Sequence, residues 1–168
     1  MPVTTPSNAH QYFVAPSIVT TGDDLIKTLQ SNLLMAGAIF SAVAALLHVG
    51  CIVFGAPWYR FMGAGERMAR MAERGHWYPT VVTTAIVCVL SIWSVYAMSG
   101  AGVIGRLPFL HAVLLGIGAV YLLRGVAAFA LVPFFPGNSL RFWIVTSVVS
   151  AVAGAVHLLG LKEIWTRT

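Results

Sequence analysis

The sequence predicts an all-α integral membrane protein: a four-transmembrane-helix antiparallel bundle with a short amphipathic interfacial helix in its first loop. Three observations lead to that class. First, the 168 residues are 58% apolar and only 9% charged, at a mean hydropathy of +0.85, whereas soluble domains carry about 25% charged residues. Ten basic and five acidic side chains cannot cover a soluble fold of this size, so lipid takes the place of water. Disorder is excluded as well, because unfolded chains are poor in apolar residues and rich in charge. Second, four predominantly apolar windows, at 32–55, 78–100, 108–132 and 140–161, each reach the roughly 20 residues a helix needs to cross a bilayer. Third, aromatic residues gather at the window ends: Trp58 and Tyr59, Trp77 and Tyr78, Phe142 and Trp143, and Trp165. Such belts mark the membrane–water boundary.

The elements follow in order. Residues 1–31 form a polar arm rich in Thr, Ser and Pro, either disordered or lying on a partner, with Asp23, Asp24 and Lys27 just before the first window. The arm lacks a basic segment followed by a continuous apolar run, so it does not read as a cleavable signal peptide. Residues 32–168 form the membrane domain. After the first window, the segment 58–77 contains GAGERMARMAERG, in which Glu66 and Arg70 are an i,i+4 pair and Met68, Met71 and Ala72 fall on one side of a short helix. That pattern predicts an interfacial helix, and its surface could also dock a cytoplasmic partner or anionic lipid. The second and third connections, AMSGAGVIGRLP and PFFPGNSLR, are turns built from Gly, Pro and Asn. Pro133, Pro136 and Gly137 are stop signals that close the third helix near Leu131. Short connections make successive helices antiparallel neighbours.

The formal charge is +5. Basic residues are scattered except between Arg60 and Arg74, which fits membrane orientation better than nucleic-acid binding. Loops one and three hold Arg60, Arg67, Arg70, Arg74 and Arg141, while the other side holds Lys27, Arg106, Lys162 and Arg167. The first span decides the orientation, with two Asp and one Lys before it and four arginines after it. Loop one is therefore expected in the cytoplasm and both termini outside, in a bacterial cell inner membrane. Cys51 and Cys88 sit in apolar stretches without a CxxC or Cys/His pattern and read as reduced, small packing residues.

Each window carries a stripe of small or polar residues: Gly37, Ser41, Ala45 and His48; Thr80, Thr84, Cys88 and Ser91; Tyr121, Arg124 and Ala128; Ser139, Thr146, Ser150, Gly154 and His157. Small residues let backbones approach and hydroxyls bond across the contact, so all four stripes are expected to face the bundle interior. No Asp or Glu lies in any window, and Arg124 is the one charge deep inside, roughly 10 Å from the helix end at about 1.5 Å per residue. Burying it there costs about 2.5–3.5 kcal/mol on insertion scales, so it either snorkels to the headgroups or meets a partner. His48 lies at a similar depth on the same side. Arg124, His48 and Tyr121 are the candidate ligand-binding group, for an anionic or amphipathic molecule such as a lipid or quinone. His111, His157 and Ser150 form a second polar cluster towards the other side.

No cofactor is predicted beyond a bound lipid or quinone. Haem would need two histidines at one depth, which leaves only His111 with His157 and no attachment motif. Zinc and other metals lack carboxylate or thiolate ligands in that layer. There is no GxSxG, Walker, Rossmann or HExxH pattern and no carboxylate pair in a span, so nothing argues for an enzyme. The leading reading is an accessory or interaction subunit, a homo-oligomer or part of a larger membrane complex, that packs through its helix faces. Ligand binding or transport at the Arg/His/Tyr group is the alternative, and a membrane redox protein a weaker one. In size and four-span layout the chain resembles small bacterial inner-membrane proteins such as the DoxX-like group. The likeness covers the hydropathy pattern alone. No motif in HVGCIVFGAPWYRFMGAGE or VYLLRGVAAF carries a family residue across.

Overall fold

In the computed structural model the described residues are 22–131 and 138–165. Among them the chain is all-helical: α1 (Gly22–Phe54), α2 (Ala56–Phe61), α3 (Glu66–Glu73), α4 (Trp77–Gly100), α5 (Leu110–Leu131) and α6 (Leu140–Trp165). Four of these contain stretches long and apolar enough to cross a membrane: Ser31–Phe54, Trp77–Gly100, Leu110–Ala127 and Leu140–Lys162. Large apolar side chains such as Leu46, Val53, Leu123 and Val126 stay on the outer surface of the assembly. In water that surface would be costly, whereas against acyl chains it is the expected exterior.

Two helices run further than the apolar windows. The helix α1 starts at Gly22, so residues 22–31 of the polar arm belong to it. Asp23 and Asp24 fall in its first turn. The Ser31 hydroxyl ties this end down by donating to the Ala101 carbonyl at 2.8 Å. The helix α6 continues to Trp165, since LKEIW has no breaker. Residues 1–21 of the arm lie outside the described residues.

Helices α5 and α6 form one close pair and α1 and α4 another, and α1 also lies along α6. Small residues set these approaches. A β-carbon on Gly154 would stand 2.9 Å from the Gly118 carbonyl oxygen, and one on Gly125 would stand 3.0 Å from the Ser147 oxygen. Between α1 and α4 the Ser94 hydroxyl donates to the Ala38 carbonyl at 2.9 Å, and Ala97 is fully buried. Between α1 and α6, Gly37 faces His157 and Gly160 faces Leu34.

The stripes on α1, α5 and α6 turn Ser41, Tyr121, Gly154 and His157 inward. The stripe on α4 does not: Thr80, Thr84, Cys88 and Ser91 are all exposed. Helix α4 instead buries Pro79, Thr83, Leu90, Ser94 and Ala97. Its rotation is fixed by two hydrogen bonds from the other polar face, Ser94 to Ala38 and Thr83 to Tyr59. The Thr84 hydroxyl satisfies itself on the Thr80 carbonyl at 2.8 Å, so the exposed face leaves that donor content in lipid.

Helices α2 and α3 cap one end of the assembly. Their inner face packs Ala56, Tyr59 and Ala69 on Cys51. Gly63, at φ +71°, makes the turn between them, and its missing side chain admits the Phe142 ring of α6. Asn138 donates to the Gly63 carbonyl at 3.1 Å, so the cap is fastened to the start of α6.

Candidate functional site

Two polar centres lie within the spans, at different depths. The deeper one joins three helices. Ser41 of α1 and Tyr121 of α5 share a hydrogen bond at 3.0 Å. The Tyr121 ring lies 5.5 Å, centroid to centroid, from the His157 imidazole of α6, and Phe40 and Trp93 meet it edge-on at 5.6 and 5.1 Å. His157 is completely buried. Its Nδ1–H donates to the Ala153 carbonyl at 2.8 Å, while Nε2 has no hydrogen-bond partner. The imidazole edge rests on Gly37, where a β-carbon would come within 2.8 Å of Cε1 and 2.9 Å of Nε2. The space in front of Nε2 is thus filled by α1 backbone, which makes this centre a packing joint.

The shallower centre is Arg124 with Trp143. The guanidinium carbon of Arg124 lies 5.8 Å from the centroid of the Trp143 ring, within the range of a cation–π contact. Nη1 is enclosed and has no hydrogen-bond partner, although the side chain as a whole is only half-buried. Trp143 and His157 stand fourteen residues apart on α6, about 21 Å along the axis. The two centres are neighbours on α5, where Tyr121 and Arg124 are one turn apart, and they diverge on α6.

This arrangement regroups the residues singled out from sequence. Tyr121 joins Ser41 and His157, and none of the contacts found links it to Arg124. His48 is half-buried and donates from Nδ1 to its own helix, at the Ala44 carbonyl 2.8 Å away. No contact found among the described residues links it to Arg124. His111 is half-buried in the first turn of α5. Ser150, also half-buried, is two turns from His157, about 10 Å along α6. Trp93 is the site residue sequence reasoning passed over, while Gly37, Ser41 and Trp143 were named there for packing or the membrane boundary and not for these centres. Trp143 looks like an ordinary interface aromatic until Arg124 is seen to lie against it.

Outside the spans, the acids of the cap are already engaged. Arg60 makes a two-pronged bond to Glu66, at 2.9 Å from both Nε and Nη2, and reaches Glu73 from Nη1 at 2.8 Å. The Arg60 guanidinium holds the Glu66 carboxyl below the usual carboxylate range, and the two acids in turn raise Arg60. Arg70 lies 3.6 Å from Glu66, a looser pair than the i,i+4 spacing suggests, because Arg60 has the better geometry. Among the described residues no group of three or more His, Cys, Asp or Glu side chains could hold a metal ion.

No protein-family model, curated protein or solved structure matches the chain.

Proposed function

We propose that the chain is an accessory subunit of a membrane assembly that associates, with a second copy or with another membrane chain, through the outward face of α4. The observation that supports this is the exposed row Thr80, Thr84, Cys88 and Ser91. Several small residues of the other spans meet partners inside the chain, as Gly37 meets His157 and Gly125 meets Ala151, whereas the open small residues of α5, such as Gly116, bring no hydroxyl. The α4 row is the small, polar face left over, and in lipid such faces associate by close packing and interhelical hydrogen bonds.

The successive spans run antiparallel in this reading, as the contacts Ser31 with Ala101 and Ala38 with Ser94 suggest. Helix α3 lies in the interface with Ala69 inward and Arg67, Arg70 and Arg74 outward. The membrane is a bacterial inner membrane, with loop one cytoplasmic and both termini outside. Single cysteines at Ser7 and Arg67 should label from opposite sides in that order, and labelling from the reversed sides overturns the orientation.

Cys88 supplies the direct test of association. Oxidation of native membranes should link two copies through Cys88 or attach a partner chain there, and Cys88→Ser should abolish the product. Replacing Ser91 with Trp should release the partner without lowering the melting temperature. A chain that stays monomeric and uncrosslinked in native membranes, and purifies alone, overturns the reading.

A further inference from the structure

We infer that Arg124 and Trp143 form a binding site for the phosphodiester headgroup of a phospholipid in the leaflet on the cap side. The argument begins with charge. An arginine stays protonated wherever it is placed, and its guanidinium carries five donors and no acceptor. Trp143 offers a π face but no anionic oxygen, and Nη1 has no acceptor among the described residues.

Among the described residues no carboxylate is found to answer that charge. Glu66 and Glu73 are on the same side of the molecule but both are bound by Arg60. Asp23 and Asp24 lie in the first turn of α1, the end that Ser31 ties to Ala101 on the far side. Glu163 is twenty residues beyond Trp143, about 30 Å along α6. With no carboxylate among the described residues to answer Arg124, its counter-charge is placed on a bound ligand.

Depth narrows its chemistry. Arg124 is seven residues, about 10 Å, from the end of α5. Its long side chain leads to Trp143 in the first turns of α6, beside Phe142, which touches the cap at Gly63. That is the level of an interfacial tryptophan, where lipid phosphates are within reach of a snorkelling arginine. A phosphodiester presents two equivalent oxygens to the guanidinium fork, the geometry arginine pairs with best. Val120, one turn from Arg124 on the same face of α5, and its neighbour Leu123 are exposed and offer an apolar wall for the acyl chains.

The test uses the full chain in mild detergent, titrated with phosphatidylglycerol and, separately, with diacylglycerol bearing the same acyl chains. Native mass spectrometry should find one phosphatidylglycerol per chain and no stoichiometric diacylglycerol. Arg124→Met should weaken phosphatidylglycerol retention at least tenfold, and Arg124→Lys should fall between, as a point charge without the fork. If Arg124→Met does not fold, Arg124→Gln and Trp143→Leu carry the comparison. Added phosphatidylglycerol should raise the melting temperature of the wild-type chain and leave that of the Arg124 variants unmoved. Equal retention by wild type and Arg124 variants, or diacylglycerol bound as well as phosphatidylglycerol, overturns the inference. So does displacement of the lipid by millimolar inorganic phosphate, which would assign the site to a soluble anion. Because Cys88 lies on α4, crosslinking there reports on the proposed assembly independently of these outcomes.

Discussion

At the scale of single residues, the contact between Gly37 and His157 governs how closely α1 and α6 meet. A β-carbon at position 37 has nowhere to go, since the imidazole is itself enclosed and tied to Ala153. Gly37→Ala is expected to cost about 1–3 kcal/mol, the usual penalty for overpacking a close contact. Thermal unfolding in detergent measures it. Adding His157→Ala to Gly37→Ala should recover part of the loss, since the ring that collides is gone. A second single-residue effect lies at His76, whose Nδ1 accepts from the Tyr78 backbone N–H at 3.1 Å and caps α4. His76→Ala should lower stability by about 1 kcal/mol and His76→Asn should largely restore it, as read from the same melts. The residues of the polar centres were legible as types but not as partners. Tyr121 and His157 each stand out in the sequence, yet their pairing depends on the register in which α5 and α6 pack, set by contacts such as Gly154 on Gly118 and Gly125 on Ala151.

At the scale of elements, the cap responds to acid. The Arg60 pairing holds the Glu66 carboxyl below its ordinary value of 4.5. A carboxylate whose folded value is depressed stabilises the fold fully above its unfolded value and loses that contribution as pH falls through the folded one. The cap should therefore be intact above about pH 4.5 and loosen progressively below it. Hydrogen exchange at the α3 amides reports this, with α4 and α5 unchanged over the same range. Arg60→Gln should give fast α3 exchange already at neutral pH, and slow exchange in that variant would show that packing on Cys51 and Tyr59 holds the cap alone. The rotation of α4 is the element-level feature that sequence did not disclose. Polar residues occur on two of its faces, Thr80, Thr84 and Ser91 on one and Thr83 and Ser94 on another. A helical projection cannot choose between them, because the choice rests on hydroxyl acceptors supplied by α1 and α2.

At the scale of the whole molecule, hydropathy carried most of the architecture. Four long apolar helices were legible because a bilayer imposes a length and a composition on every span, independently of packing. Which spans touch was not legible in that way. It depends on small residues such as Gly118, Gly125 and Gly154, which act only when their helices meet in one register. The result is two tight pairs, α1 with α4 and α5 with α6, joined chiefly where α1 lies along α6.

That division bears on how the molecule comes into being. The first pair is complete once residue 100 has been made, before α5 has been synthesised, so it can settle in the membrane as a unit. The second pair should then close on its own glycines and dock through Gly37 and Gly160. Residues 103–106, which are exposed, are the seam between the two stages. Two separately translated pieces, cut after Val103, should find each other in one membrane and purify together. Gly37→Leu should leave each piece inserted but keep them apart.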